Sequence, residues 1–342
     1  MKRHLNTLYI TLDGAYLNAQ GESISVKVGS EVKARIPFHN LDSIVCFGNV
    51  LATPYLLAAC AKSGITVSFL DQFGRFLAAT IGFSPGNVLL RRQQYRLADD
   101  PERCAKIVKN ILSAKVANYR SVFLRAARES KVPETVARLE KTAKDLNPVI
   151  GKIQQSSDVA SMRGLEGTAG RTVFSDYDAL LLPATGFSMK GRTRRPPLDP
   201  VNALLSFLYS LLAHDVRSAC ESVGLDAAVG FLHVDRAGRP GLALDLMEEF
   251  RPILADRLVC SLINRRQIAL KDFVTEENGS VRLEDDARKK VLEAYQRRKD
   301  KELLHPFIEE KVSFGLLPHI QAKLLARFIR GDIDAYPAFV WR

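Results

Sequence analysis

Apolar and polar positions alternate through much of the first 85 residues. TLYITL, AYLNAQ, SISVKV and VKARIPF carry β-branched residues in that alternation, and DG, GES and GS turns separate them. SIVCF and ITVSFL are further runs of strand length. One helical stretch, Thr53–Lys62, fits between them, and FGRFLAATIG closes the region as another strand. The pattern predicts a strand-rich unit with a single helix, either a small sandwich or a bent sheet.

After Pro85 the hydrophobic period becomes helical. Residues 87–97 and 101–129 carry that spacing, and the second stretch opens on Asp100-Pro101, a capping residue followed by proline at the first helical position. Another helix starts at Pro133. Others are expected at about 158–180, 200–223 and 243–264, and through the last third. Two stretches of low hydrophobicity, KGRTRRPPLDP and TEENGSVRLEDD, read as links. No internal repeat is visible. The expected class is α+β, with a β-sandwich-like domain over 1–85 and a larger all-α domain over 86–342.

Charge narrows the choice of partner. The chain of 342 residues has a net charge of +11. Residues 1–85 hold seven Lys/Arg and five Asp/Glu, a balance of +2, so +9 lies downstream. A surplus of this size suggests a polyanionic partner. The five cysteines, Cys46, Cys60, Cys104, Cys220 and Cys260, form no CxxC pair and are odd in number. Reduced thiols in a cytoplasm are expected, as small buried hydrophobes and not as a zinc or disulfide framework. No secretory leader and no membrane-spanning run is visible.

Candidate chemistry lies in the helical part. In the helix opened by Ser157-Asp158, Val159, Met162, Glu166, Ala169 and Val173 share one face. Glu166 therefore stands in a stripe that should face the core. Gly164, Gly167 and Gly170 surround it, each costing about 1 kcal/mol of helix stability. Close approach of another backbone or of a bulky ligand would account for them. The ordinary explanation of Glu166 is an ion pair with Arg163 or Arg171; a metal is the other.

The stretch AVGFLHVDRAGRPGLALDLMEEFRP repeats the anomaly. His233 ends an apolar run, where histidine is ordinarily a satisfied core residue. Asp245 and Glu248 are three apart, so their like charges share a face and repel unless a cation lies between them. Glu249 reads as part of a solvated acidic face. A histidine and acids from separate apolar segments together fit a divalent site of mixed nitrogen and oxygen ligands. Manganese suits such a set, magnesium is tolerated, and zinc is chemically admissible.

Basic residues lie close by in sequence. Lys190, Arg192, Arg194 and Arg195 fall within six residues, either a solvated turn or a clamp on phosphates. Asn202, Ser206 and Tyr209 then form a polar line on an apolar helix, either bonding between helices or donating toward phosphate or sugar. No GxxxxGK[ST] motif is present.

GLEGTAGR, RRPPLDPVNALLSFLYSLL, GFLHVDRAGRPGLALDLMEEFRP and INRRQI, in this order, resemble the CRISPR-associated Cas-one family. The resemblance spans essentially the whole chain, and the length and N-terminal wording resemble the subtype I-C (Dvulg) branch. It implies an integrase and metal-dependent DNA endonuclease of CRISPR adaptation. It also implies Mn²⁺ or Mg²⁺ on Glu166 of GLEG, His233 of GFLH and Glu248 of DLMEEF. Asp245 matches a further active-site acid, either a ligand or a support. Some branches carry aspartate where Glu248 stands. The family's homodimers form largely through the β domains and join the small Cas-two protein on DNA. A DNA-binding scaffold subunit and a general repair nuclease are the alternative readings.

Overall fold

Glycine turns set the strands of the first unit. Gly21 and Gly29, at φ of 58° and 59°, occupy the left-handed region that the two-residue turns require. They connect β2 (Ala15–Gln20), β3 (Ser23–Val28) and β4 (Glu31–Pro37) as an antiparallel meander. A short β6 (Leu51–Ala52) joins β2 in parallel, giving the order β4-β3-β2-β6. The second sheet contains β1 (Asn6–Ile10), β5 (Leu41–Phe47), β7 (Thr66–Leu70) and β8 (Phe76–Thr80), in that order. Its β5 and β7 are parallel, and α1 (Pro54–Lys62) supplies the crossover between them. Thr53 caps α1 through the Leu56 amide at 3.2 Å. Leu17, Ile24, Ile44, Leu56 and Val67 are fully buried in the core.

The structure is a computed structural model that describes residues 6–71, 76–80 and 88–341. Of the expected strand FGRFLAATIG, residues 73–75, 81 and 82 lie outside the described residues, as does Pro85. The chain divides into two compact units, 1–85 and 86–342.

The second unit is mostly helical. It contains α2 (Val88–Ala98), α3 (Pro101–Glu129), α4 (Pro133–Gln155), α5 (Val159–Ser175) and α6 (Pro200–Ser222). These are followed by α7 (Gly241–Met247), α8 (Arg257–Asn264), α9 (Asp285–Lys299) and α10 (Leu317–Arg330). Aspartates start the key helices. Asp100 accepts from Glu102 and Arg103 amides at 3.1 Å, Asp158 from Ser161 at 2.7 Å, and Asp199 from Asn202 at 2.8 Å. The long α3 forms the centre, with Ile107, Val108, Ile111 and Leu112 fully buried. Among the described residues no helix is long and apolar enough to cross a membrane.

Three expectations need correction. TEENGSVRLEDD is no open link: β9 (Phe273–Thr275) ends on its first residue and pairs as a hairpin with β10 (Val281–Leu283) inside it. A second hairpin, β11 (Glu302–Leu304) with β12 (Lys311–Ser313), means that the unit is not purely α. The helix expected over 243–264 is broken. After α7 the amides of Glu248, Glu249 and Phe250 bond to carbonyls three residues back, and Arg251–Asp256 forms a π-turn before α8. Pro252 has no amide hydrogen to continue the α ladder.

The π-turn points Asp256 inward. Tyr119 and Tyr209 donate to its carboxylate at 2.7 and 2.5 Å, and Tyr177 donates to its carbonyl at 2.9 Å. Burial pushes this carboxyl up to about 6, against the opposing pull of the two tyrosine hydroxyls and of Arg251 and Arg192. A carboxyl raised in the fold keeps its proton where the unfolded chain has lost it. Its contribution therefore favours the fold below about pH 4 and is lost as the pH rises to about 6. Urea unfolding of the full chain across pH 4–7 should show this slope, and Asp256→Asn should make it shallower. An identical slope in the variant would remove Asp256 as its source.

Candidate active site

Glu166, Glu248 and His233 come from α5, from the turn after α7 and from the loop between α6 and α7. Lys115 on α3 brings the two glutamates together. Its ammonium bonds Glu166 Oε1 and lies 2.7 Å from Glu248 Oε2. The Lys115 and Glu248 side chains are only 5 % and 3 % exposed, whereas Glu166 is 26 % exposed and lies at the open side. Arg251 approaches the other oxygen of Glu248 at 2.8 Å. Burial raises the Glu248 carboxyl, but Arg251 and Lys115, with a smaller contribution from His233, reverse this and hold it down at about 2. The positive charge between Glu166 and Glu248 is therefore built into the protein as an amine.

Asp245 organises the histidine loop. It is fully buried, and its Oδ2 accepts from the amides of Phe231 and Leu232 at 2.5 and 2.9 Å. Its Oδ1 accepts from the His233 amide at 3.0 Å and lies 2.6 Å from His233 Nδ1. A carboxylate at Nδ1 fixes that nitrogen as the donor and leaves the Nε2 lone pair for a ligand. Both Asp245 oxygens are thus taken up by the amides of residues 231–233 and the His233 ring. Two glycines allow the close packing. A Cβ on Gly230 would stand 2.7 Å from Asp245 Oδ2, and one on Gly241 would stand 2.6 Å from the Ala228 carbonyl. Arg163 donates to the Leu232 carbonyl at 2.6 Å, and Cys104 to that of Phe231 at 3.1 Å. Buried Gln94 clamps residues 226–229 from α2.

These positions correct several sequence expectations. Glu166 pairs with Lys115, not with Arg163 or Arg171. A Cβ on Gly164, Gly167 or Gly170 would meet nothing within 4 Å, so no neighbouring backbone requires those glycines. Glu249 is not solvated. It is fully buried and accepts from Tyr336, Phe339 and Gln321, and burial lifts its carboxyl to about 7. Lys115 went unrecognised in the sequence, although it interrupts the apolar α3 face between Ile111 and Tyr119.

The donors fit a hard divalent ion. Oε2 of Glu248 is buried against the Lys115 ammonium at 2.7 Å, so the carboxylate is held ionised beside a positive charge. The Glu166 carboxylate is partly open, and His233 offers Nε2. Among the described residues no group of three or more His, Cys, Asp and Glu closes to metal-binding distance, since Lys115 stands between the glutamates.

The basic loop divides into an inner and an outer part. Arg192 is half-buried and donates to Asn202 Oδ1 at 2.7 Å and Ser206 Oγ at 3.1 Å. Its guanidinium lies 5.3 Å from the Tyr209 ring centroid, and that of Arg251 lies 4.7 Å from the same centroid. Asn202 is fully buried. It also accepts from the Thr193 amide and donates to Gly191 and Asp199, so its amide is spent on holding the loop and has no donor left for phosphate. Lys190, Arg194 and Arg195 are exposed.

Residues 8–297 match the family model described as CRISPR associated protein Cas1. A CRISPR-associated endonuclease Cas1 from Chlorobaculum tepidum is 50 % identical over 343 residues, covering all of both chains. Another from Rhodospirillum rubrum is 50 % identical over 347 residues, also covering all of both. Among solved structures, a Cas1 protein from Thermotoga maritima superposes with a TM-score of 0.81 at 26 % identity, over 96 % of this chain and 97 % of that one. A casposase bound to integration product gives a TM-score of 0.85 over 99 % of this chain and 95 % of that one, a likeness of fold at 22 % identity. The family match and the full-length identities agree with the order of the site segments: the chain belongs to the CRISPR-associated Cas1 family.

Proposed function

We propose that this protein is a metal-dependent DNA integrase and endonuclease of CRISPR adaptation, with Glu166, His233 and Glu248 as metal ligands. Two carboxylates held on Lys115, with an Asp245-oriented imidazole close enough to act on Glu248, carry the reading. Family membership and the endonuclease relatives support it. When bound, Mn²⁺ or Mg²⁺ would supply Lewis-acid stabilisation of charge developing on a phosphoryl oxygen. Asp245 holds His233 in the coordinating tautomer. Arg251 keeps Glu248 ionised. Lys115 keeps the carboxylates close, and its ammonium is the nearest internal positive charge to a phosphate placed there. The attacking group is the 3′-hydroxyl of an incoming DNA fragment in strand transfer, or water in cleavage. The length and N-terminal sequence favour the subtype I-C branch, and the free thiols suit a cytoplasmic setting.

Alanine at Glu166, His233 or Glu248 should abolish Mn²⁺-dependent cleavage and strand transfer on repeat DNA. DNA binding, measured by anisotropy, should remain. Full strand transfer by Glu166→Ala would sink the ligand assignment.

DNA phosphates are assigned to Lys190, Arg192, Arg194 and Arg195, with Arg192 also bracing the loop through Asn202 and Ser206. Alanine at both Arg194 and Arg195 should weaken binding to all sequences alike and reduce the log–log salt slope by about one per lost phosphate contact. An unchanged slope would return these residues to ordinary solvent.

The first unit is proposed as the homodimer interface, through which a pair of sites serves both ends of one fragment with the small Cas-two protein. The edge positions of β4 and β8 among the described residues, and exposed Tyr16, Leu51 and Tyr55, support this. Sedimentation of the full chain at micromolar concentration should give a dimer, and serine at Leu51 and Tyr55 should weaken it. A wild-type monomer at that concentration would refute the interface.

A further inference from the structure

We infer that residues 336–341 act as a strap that fixes the Glu248–Glu249 turn, so that Tyr336 and Glu249 are positioning residues for the metal ligand Glu248. The inference rests on Glu248 being a ligand.

The turn is weakly determined by its own backbone. Glu248, Glu249 and Phe250 bond to carbonyls three residues back, and a π-turn follows. Departures from α geometry inside a helical run mark places where the backbone has alternatives. Glu248 nevertheless needs a fixed orientation, since a ligand that wanders loses affinity for its ion.

Glu249 supplies the missing constraint. Consecutive side chains leave the turn in different directions: Glu248 toward Lys115 and Arg251, Glu249 into the strap. Oε1 of Glu249 accepts from the Tyr336 hydroxyl at 2.6 Å, and Oε2 from the Phe339 amide at 2.7 Å and Gln321 Nε2 at 3.0 Å. Asn118 ties the same two segments through their backbones. Its Nδ2 donates to the carbonyls of Glu249 at 2.8 Å and Phe339 at 2.9 Å, and its Oδ1 accepts from the Trp341 amide at 2.7 Å. Gln321 also reaches the Tyr336 hydroxyl at 2.9 Å and the Pro337 carbonyl at 3.0 Å. Phe250 and Phe339 pack with ring centroids 6.3 Å apart.

A carboxyl group buried with no cation beside it is costly unless its oxygens are bonded. None of the groups bonded to Glu249 faces the proposed reaction. What the arrangement provides is a turn with one conformation, held from a segment almost ninety residues away in sequence.

The test uses the full chain without DNA. Mn²⁺ affinity is read from the electron paramagnetic resonance of free ion, and hydrogen exchange is followed over residues 246–252 with EDTA present. Tyr336→Phe keeps the ring and deletes one donor, so it should fold. It should weaken Mn²⁺ binding about tenfold, the effect of losing one hydrogen bond to a buried charged group, and speed exchange in the turn. Glu249→Gln should do the same, with a larger effect. The half-saturating Mn²⁺ for strand transfer should rise by the same factor. His233→Ala is the control for the metal reading and should lose binding altogether. If His233→Ala loses Mn²⁺ while Tyr336→Phe and Glu249→Gln bind it like wild type, the strap is merely structural and the inference fails. If His233→Ala also binds normally, the metal reading fails and this inference with it.

Discussion

Two carboxylates cannot share a low-dielectric site unless a positive charge lies between them, and the helical unit is arranged around that requirement. Lys115 provides the charge from the middle of the long helix α3. Removing one member of such a cluster leaves the rest uncompensated, at a cost of about 3–5 kcal/mol. The neighbouring cations follow the same logic. Arg251 satisfies the far side of Glu248, and Arg251 and Arg192 stack against Tyr209, which donates to Asp256. The carboxylate cluster and the basic loop are thus joined by alternating charge and aromatic surface.

Much of this was legible in the sequence because local rules govern it. Asp100-Pro101 and Ser157-Asp158 announced two helix starts, and an aspartate caps each. Glu166, His233 and Asp245 stood out because apolar periodicity assigned them to the core, where unpartnered charge is costly. The strand-rich first unit and the helical second one followed from the change of period.

The rest depended on tertiary contacts that no local pattern encodes. Lys115 lies 51 residues from Glu166 and was indistinguishable from a lysine whose stem crosses an apolar face. Glu249 looked solvated because its partners, Tyr336 and Phe339, are far away in sequence. The break after Met247 was hidden by a hydrophobic pattern that α-helix and π-turn share. Asn202 was read as a donor to a ligand because the residues that exhaust its amide fold back on it from the preceding loop.

The wrapping of the Asp245 carboxylate by backbone amides has a consequence for how this sequence can drift. At position 248 the oxygens face the Lys115 and Arg251 side chains, so a side chain one methylene shorter changes reach and keeps the chemistry. Position 245 has no such latitude. An asparagine there would aim an amide N–H at the donors of Phe231, Leu232 or His233, and a glutamate would need room that Gly230 and Gly241 already fill by having no side chains. Substitutions at 230, 241 and 245 should therefore be mutually dependent, while 248 varies between the two acids on its own.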